Sequence, residues 1–140
     1  AGETGTWAAE VTRARQLLSQ HDPAGYIGAL LADGEPDEAW AVAVHTDRDL
    51  GTYQWVELAK AREAAVPADA IVVYLRLADD VLARADKRAY RDAINKLKAA
   101  RRAAAAAEMI PEFAEHLVGV RERNRRRPTF MTMLDKAGLD

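Results

Sequence analysis

Five prolines divide the chain at positions where helices can begin. They are Pro23, Pro36, Pro67, Pro111 and Pro128. Proline fits the first turn of a helix, because its missing N–H would have no intrahelical partner there, but it disrupts a helix further along. Acidic residues lie within two residues after Pro36, Pro67 and Pro111, where a negative charge opposes the helix dipole. The pattern predicts five helix starts.

Apolar residues recur at helical spacing between these prolines. The clearest stripe follows Pro67, where Ile71, Leu75, Ala78 and Leu82 share one face. Comparable stripes predict further helices at about 6–20, after Pro23, after Pro36, at about 49–65, at about 87–107, after Pro111 and after Pro128. Connections of about two to five residues would make these eight short helices antiparallel neighbours.

Alanine makes up 30 of the 140 residues, whereas Ile and Val together make up only 14. Alanine has the highest helix propensity, and β-branched residues favour strands. The composition therefore argues against a sandwich, a barrel or a parallel-sheet enzyme, and it suits helices that meet through small side chains.

A partial internal repeat refines the expected architecture. Trp55, Leu58 and Ala59, followed by Ala70 and Tyr74, approximate the helix-turn-helix pattern of tetratricopeptide units, with a Trp-to-Ala interval one residue short. We predict one all-α domain over residues 1–140, folded as a degenerate tetratricopeptide-like α-solenoid. An orthogonal helix bundle is the alternative, because periodicity does not fix how helices turn relative to one another. We also expect a fragment of a longer protein, since no initiator Met is present.

Charge is strongly segregated along the chain. Residues 1–80 contain 14 acidic and 6 basic side chains, whereas residues 81–140 contain 8 acidic and 14 basic ones. The candidate basic surface consists of Lys96, Lys98, Arg101, Arg102, Arg121, Arg123, Arg125, Arg126 and Arg127.

Two interpretations of this basic surface compete. Clustered Arg and Lys bind nucleic acid by neutralising phosphates and releasing counterions. The same residues also suit a solvated helix end, where cations oppose the dipole. We favour the second interpretation, because no aromatic residue is interleaved with the run at 121–127 to stack on bases. The segregation also predicts weak, salt-sensitive self-association.

Candidate catalytic chemistry is sparse. Ser19 is the single Ser and Cys is absent, so a hydroxyl or thiol nucleophile has little basis. Glu112 and His116 are spaced i,i+4, but the Glu-x-x-His spacing of di-iron bundles is missing, and we interpret them as a surface pair. We expect no enzymatic activity, no cofactor and no bound metal. No apolar run reaches the length of a membrane span and no secretory signal is visible, so we expect a cytoplasmic protein without membrane contact.

Three strings resemble the C-terminal helical region of bacterial SWIM zinc-finger proteins. They are residues 67–77 (PADAIVVYLRL), 88–93 (RAYRDA) and 125–139 (RRRPTFMTMLDKAGL), and the stretch at 30–34 followed by Ala39-Trp40 fits an earlier part of that region. The resemblance extends over most of the chain from about residue 25 onward.

The family's zinc ligands, Cys-x-Cys…Cys-x-His, lie in a separate upstream module, and none of them is present in this sequence. The resemblance therefore implies a non-enzymatic interaction or scaffold module attached to a SWIM zinc-finger-like protein. Its partner would be an unknown protein or the rest of the parent chain. A nucleic-acid-binding accessory domain that uses the basic C-terminal half is the alternative.

Overall fold

The structure is a computed structural model that describes residues 10, 12–13, 21–46 and 50–140. Within these ranges the chain forms seven helices and no strands, which confirms the all-α prediction. The helix expected at about 6–20 lies almost wholly outside the described residues. The chain divides into two compact units, residues 1–61 and residues 62–140. The expectation of one domain over 1–140 stays a prediction.

The helix starts follow the prolines. Pro23, Pro36, Pro67 and Pro128 are each the first residue of a helix, and Pro111 is the second. The seven helices are α1 (Pro23–Ala32), α2 (Pro36–His45), α3 (Thr52–Ala65), α4 (Pro67–Val81), α5 (Lys87–Ala106), α6 (Ile110–Arg123) and α7 (Pro128–Lys136).

Side-chain and glycine caps fix the ends of several helices. Asp22 accepts a hydrogen bond from the backbone N–H of Gly25 at 3.0 Å, and Asp86 accepts one from Ala89 at 2.8 Å, so both carboxylates cap a helix N-terminus. After α1 and α7 the chain turns through Gly34 (φ 74°) and Gly138 (φ 72°). A positive φ suits glycine, and it returns the next N–H to the helix's last carbonyls.

The unit at residues 1–61 has a small core between α1, α2 and the first turns of α3. Its buried members are Tyr26, Ile27, Leu30, Ala39, Ala43 and Leu58. Beside this core the rings of Trp40 and Trp55 meet edge to face, with centroids 6.2 Å apart. The side-chain amide of Gln54 donates to the carbonyl of Ala24 at 2.6 Å and ties α3 to α1.

The unit at residues 62–140 is organised around α5, which packs against α4, α6 and α7. Alanine makes up most of the buried face of α5, whereas the buried face of α4 is mainly large and apolar, with Tyr74 and Leu77 beside two alanines. The fully buried alanines are Ala70, Ala78, Ala93, Ala100, Ala103 and Ala104. Alanine adds only a methyl group to the helix surface, so these helices can approach closely.

We predict that Ala100→Leu lowers the free energy of unfolding by about 1–3 kcal/mol, because a close-packed helix contact cannot accept three extra carbons without displacing its neighbours. Ala105→Leu on the same helix is the matched control: Ala105 is exposed, and its effect should stay within about 0.5 kcal/mol. Urea unfolding followed by circular dichroism measures both. Equal effects of the two substitutions would contradict close packing at Ala100.

Candidate functional site

Two arginines of the predicted basic surface hold the end of α7. From α5, Arg101 Nη1 donates to the carbonyl oxygen of Gly138 at 3.0 Å. From α6, Arg121 Nη1 donates to the carbonyl of Leu139 at 2.7 Å, and its Nη2 lies 2.5 Å from Asp135 Oδ1. The C-terminal end of a helix carries unpaired carbonyls and partial negative charge. Arg101 and Arg121 therefore tie the turn that follows α7 to α5 and α6.

Arg127 makes the same kind of contact at the end of α4. Its Nη1 donates to the carbonyl of Leu82, the residue after α4, at 2.6 Å. Its guanidinium carbon also lies 5.8 Å from the centroid of the Tyr90 ring. Tyr90 in turn packs against Phe130 with ring centroids 5.2 Å apart. Arg127 thereby fixes the start of α7 against the turn between α4 and α5.

Arg102 belongs to a polar cluster with Glu63 and Tyr74. Its Nε and Nη2 donate to the two carboxylate oxygens of Glu63 at 2.7 and 2.8 Å. The hydroxyl of Tyr74 donates to Glu63 Oε1 at 2.9 Å. The cluster joins the end of α3 to α4 and α5, since each residue belongs to a different helix. Bidentate contact of this kind combines charge with fixed geometry.

The pKa values of the cluster follow from these contacts. The hydrogen bond from Arg102 lowers the pKa of Glu63, with the Tyr74 hydroxyl adding to the effect and burial opposing it. Burial and the neighbouring Glu63 carboxylate raise the pKa of Tyr74 to about 12. The hydrogen bond to Glu63 raises the pKa of Arg102. Glu63 is therefore held as an anion and Tyr74 as a neutral phenol.

Two further members of the predicted surface form local pairs. Lys96 Nζ lies 2.7 Å from Asp92 Oδ1 one turn earlier on α5. Arg125 Nη1 lies 2.5 Å from Glu122 Oε1, with both side chains more than 60% exposed. The Arg125–Glu122 pair contributes little to stability, because both of its side chains are exposed.

The remaining three predicted residues are exposed. Arg123 Nη2 approaches Asp79 Oδ1 at 3.7 Å, which is a loose ion pair. Lys98 and Arg126 form no ion pair or hydrogen bond with any residue that the structure describes. Of the nine predicted residues, four are therefore bound to other elements, three form local or loose ion pairs, and two are unengaged within the described residues. They do not form one continuous free surface.

A second set of cations lines an open groove between α5 and α7, with a volume of about 480 Å³. Lys87 and Arg91 come from α5, and Lys136 comes from α7. All three are exposed, and within the described part of the chain none has an ion pair or hydrogen bond. The complete lining is Lys87, Arg91, Pro128, Thr129, Thr132, Met133 and Lys136.

The groove lies outside the basic surface predicted from the sequence. Two signals were nevertheless present: Lys87 and Arg91 are one turn apart, and Thr129, Thr132, Met133 and Lys136 fall on one face of a helix. Helical spacing places residues on a face, but it does not show that the faces of α5 and α7 border one groove.

Glu112, His116 and Ser19 were the residues considered for catalytic or metal-binding chemistry. Glu112 is exposed, while His116 is half-buried with its Nε2 buried and without a hydrogen-bond partner among the described residues, so the expected surface pair does not form. Ser19 lies outside the described residues.

The described part of the chain contains no group of three or more His, Asp or Glu side chains placed to hold a metal ion. None of its helices has both the length and the apolar character of a membrane span.

Comparison with known proteins found no matching family model, no matching curated protein and no matching solved structure. The resemblance to the SWIM-associated helical region stays a prediction.

The cluster around Tyr74 predicts a specific pH dependence. Because folding raises the Tyr74 pKa from its ordinary value of 10 to about 12, the contribution of the Tyr74 phenol is complete below pH 10 and is lost as the pH rises towards 12. Tyr74→Phe should lower the free energy of unfolding by about 1 kcal/mol at neutral pH and reduce this alkaline loss. Urea unfolding at a series of pH values measures both effects.

Tyr53→Phe is the matched control, since Tyr53 is 79% exposed. It should leave the free energy of unfolding at neutral pH, and the decrease of that free energy at alkaline pH, close to those of the parent chain. If Tyr74→Phe leaves the loss of stability at alkaline pH unchanged, that result would contradict the assignment of this loss to Tyr74.

Proposed function

We propose that this chain is a non-enzymatic helical module that binds a partner protein. The observation that supports this most directly is the groove between α5 and α7, where three unengaged cations, two threonines and the apolar Pro128 and Met133 face the same space. The groove's volume of about 480 Å³ lies within the range of about 300–1,000 Å³ that ligand clefts occupy. The groove lies between helices that are fixed by Arg127 and by the Tyr90–Phe130 contact.

The resemblance of residues 67–77, 88–93 and 125–139 to SWIM zinc-finger proteins supports a module attached to such a protein. Its partner would then be an unknown protein or the rest of the parent chain.

We further propose the tetratricopeptide-like arrangement rather than an orthogonal bundle. Helix α5 packs against its sequence neighbours α4 and α6 and also against the next-but-one helix, α7. In a helical-repeat array each repeat contacts the neighbouring repeats, and with α4–α5 and α6–α7 as successive repeats the contacts of α5 with α6 and α7 are of this kind. This packing supports the proposal for residues 62–140.

A nucleic-acid accessory domain is the second candidate. It is supported by exposed Arg125 and Arg126 at the turn before α7, and by Lys98. Four of the nine predicted cations, however, are bound to carbonyl or carboxylate oxygens on other elements, namely Arg101, Arg102, Arg121 and Arg127. An engaged guanidinium has fewer donors left for phosphate, so partner-protein binding is the better-supported function.

Peptide selection tests the proposed function. Panning a random dodecapeptide phage library on the immobilised full chain should enrich a convergent sequence motif, because a fixed groove selects recurring side chains. Binding of the enriched peptides should fall about tenfold with Met133→Glu, which places a carboxylate in the apolar part of the groove. Val118→Glu, at an exposed apolar residue on α6, is the matched control and should leave binding unchanged. Failure to enrich any motif would contradict the proposal.

Duplex DNA separates the two candidate functions. Binding is measured by a fluorescence anisotropy titration with a 20-base-pair duplex at 50 and 200 mM salt. We expect no saturable binding through Arg125 and Arg126. Micromolar binding with a steep salt dependence, lost in the double variant Arg125→Ala/Arg126→Ala, would favour the nucleic-acid function instead. Both side chains are exposed, so the double variant should retain the fold.

A further inference from the structure

We infer that the groove between α5 and α7 receives an acidic, partly apolar peptide segment of the partner protein. The inference rests on the proposed function and names the chemistry of the partner at that site. Three observations support it: where the groove cations lie, which donors the carboxylates beside them bind, and which residues line the groove.

The carboxylates adjacent in sequence to the groove cations are all engaged elsewhere. Asp86 precedes Lys87, but it caps the N–H of Ala89 at 2.8 Å. Asp92 follows Arg91, but it accepts from Lys96 at 2.7 Å. Lys87 and Arg91 therefore form no ion pair with the carboxylates next to them in sequence.

The same holds on the other side of the groove. Asp135 precedes Lys136 on α7, but its Oδ1 accepts from Arg121 at 2.5 Å. The cations of both walls thus lie beside carboxylates that are committed to other donors. The groove lining contains three cations and no carboxylate, and an anionic ligand would compensate their charge.

The distribution of the cations favours a ligand with several separated negative charges. Lys87 and Arg91 lie one helical turn apart on one wall, and Lys136 lies on the opposite wall, two turns along α7 from Thr129. A single small anion would contact only part of this set. A peptide with successive acidic side chains can reach both walls.

The rest of the lining suits a polypeptide. Pro128 and half-buried Met133 offer apolar surface, and methionine adapts readily to different side chains. The hydroxyls of Thr129 and Thr132 can donate to or accept from a peptide backbone. None of the seven lining residues is aromatic, so the groove lacks the stacking surface that single-stranded nucleic acid prefers. An acidic segment with interspersed apolar residues matches this lining best.

Defined peptides test the inference on the full chain. A fluorescein-labelled peptide EDLEDLEDL should bind saturably in an anisotropy titration at low salt, and the isosteric neutral peptide QNLQNLQNL should bind at least tenfold more weakly. Raising the salt concentration should weaken the acidic peptide's binding, because exposed charges are screened. Equal binding of the two peptides would overturn the inference.

Matched variants locate the contact. Arg91→Glu should weaken binding of the acidic peptide about tenfold. Lys98→Glu makes a charge change of the same size on the same helix, at an exposed residue outside the groove, and should change the affinity less than twofold. Circular dichroism and thermal unfolding should be alike for both variants. Equal weakening by the two variants would show a net-charge effect and would overturn the assignment of the groove.

The outcomes also separate this inference from the proposed function. A convergent but non-acidic motif from peptide panning, with no binding of EDLEDLEDL, would overturn the inference and leave the proposed function standing. Failure to enrich any motif would remove both. Displacement of the acidic peptide by tighter-binding duplex DNA, with the same sensitivity to Arg91→Glu, would assign the groove to a phosphate backbone and overturn the inference.

Discussion

Close contact between helices through alanine is the constraint on which the unit at residues 62–140 depends. Ala93, Ala100, Ala103 and Ala104 are fully buried on α5. An alanine contact brings two helix backbones together but removes little apolar surface from water, so it contributes less hydrophobic free energy than a leucine contact. The larger side chains, such as Leu97, fill the remaining space. Such a unit gains from polar contacts that fix how the helices end and turn.

Arginine supplies those contacts by a common mechanism. Arg101, Arg121 and Arg127 each reach from one element to a carbonyl at or just beyond the end of another helix, at Gly138, Leu139 and Leu82. Carbonyls at such ends have no intrahelical donor, and the helix dipole makes these ends partly negative. One guanidinium therefore satisfies an acceptor, compensates a dipole and joins two elements.

Local sequence rules predicted the helices but not the roles of the cations. A proline such as Pro36 or Pro67 acts on the helix turn in which it lies. Its position in the sequence was therefore enough to predict a helix start. The role of Arg102 depends on Glu63, 39 residues earlier in the chain, and that of Arg127 on a carbonyl 45 residues earlier. Composition could show that basic residues accumulate after residue 80, but only the tertiary contacts distinguish an arginine that binds a carbonyl of another element from a cation that lines a groove.

The chemistry of arginine suits the structural role in this unit. The planar guanidinium offers five donors and can bond two acceptors at once, as Arg121 does with Leu139 and Asp135. Lysine is a mobile point charge, and Lys87 and Lys136 have no such ties within the described residues. Replacing Arg121 by Lys would remove a two-acceptor contact, whereas replacing Arg91 by Lys would keep the groove's charge. The contacts that fix the helices and the charges that attract a ligand therefore reside on different side chains, and each can change without loss of the other.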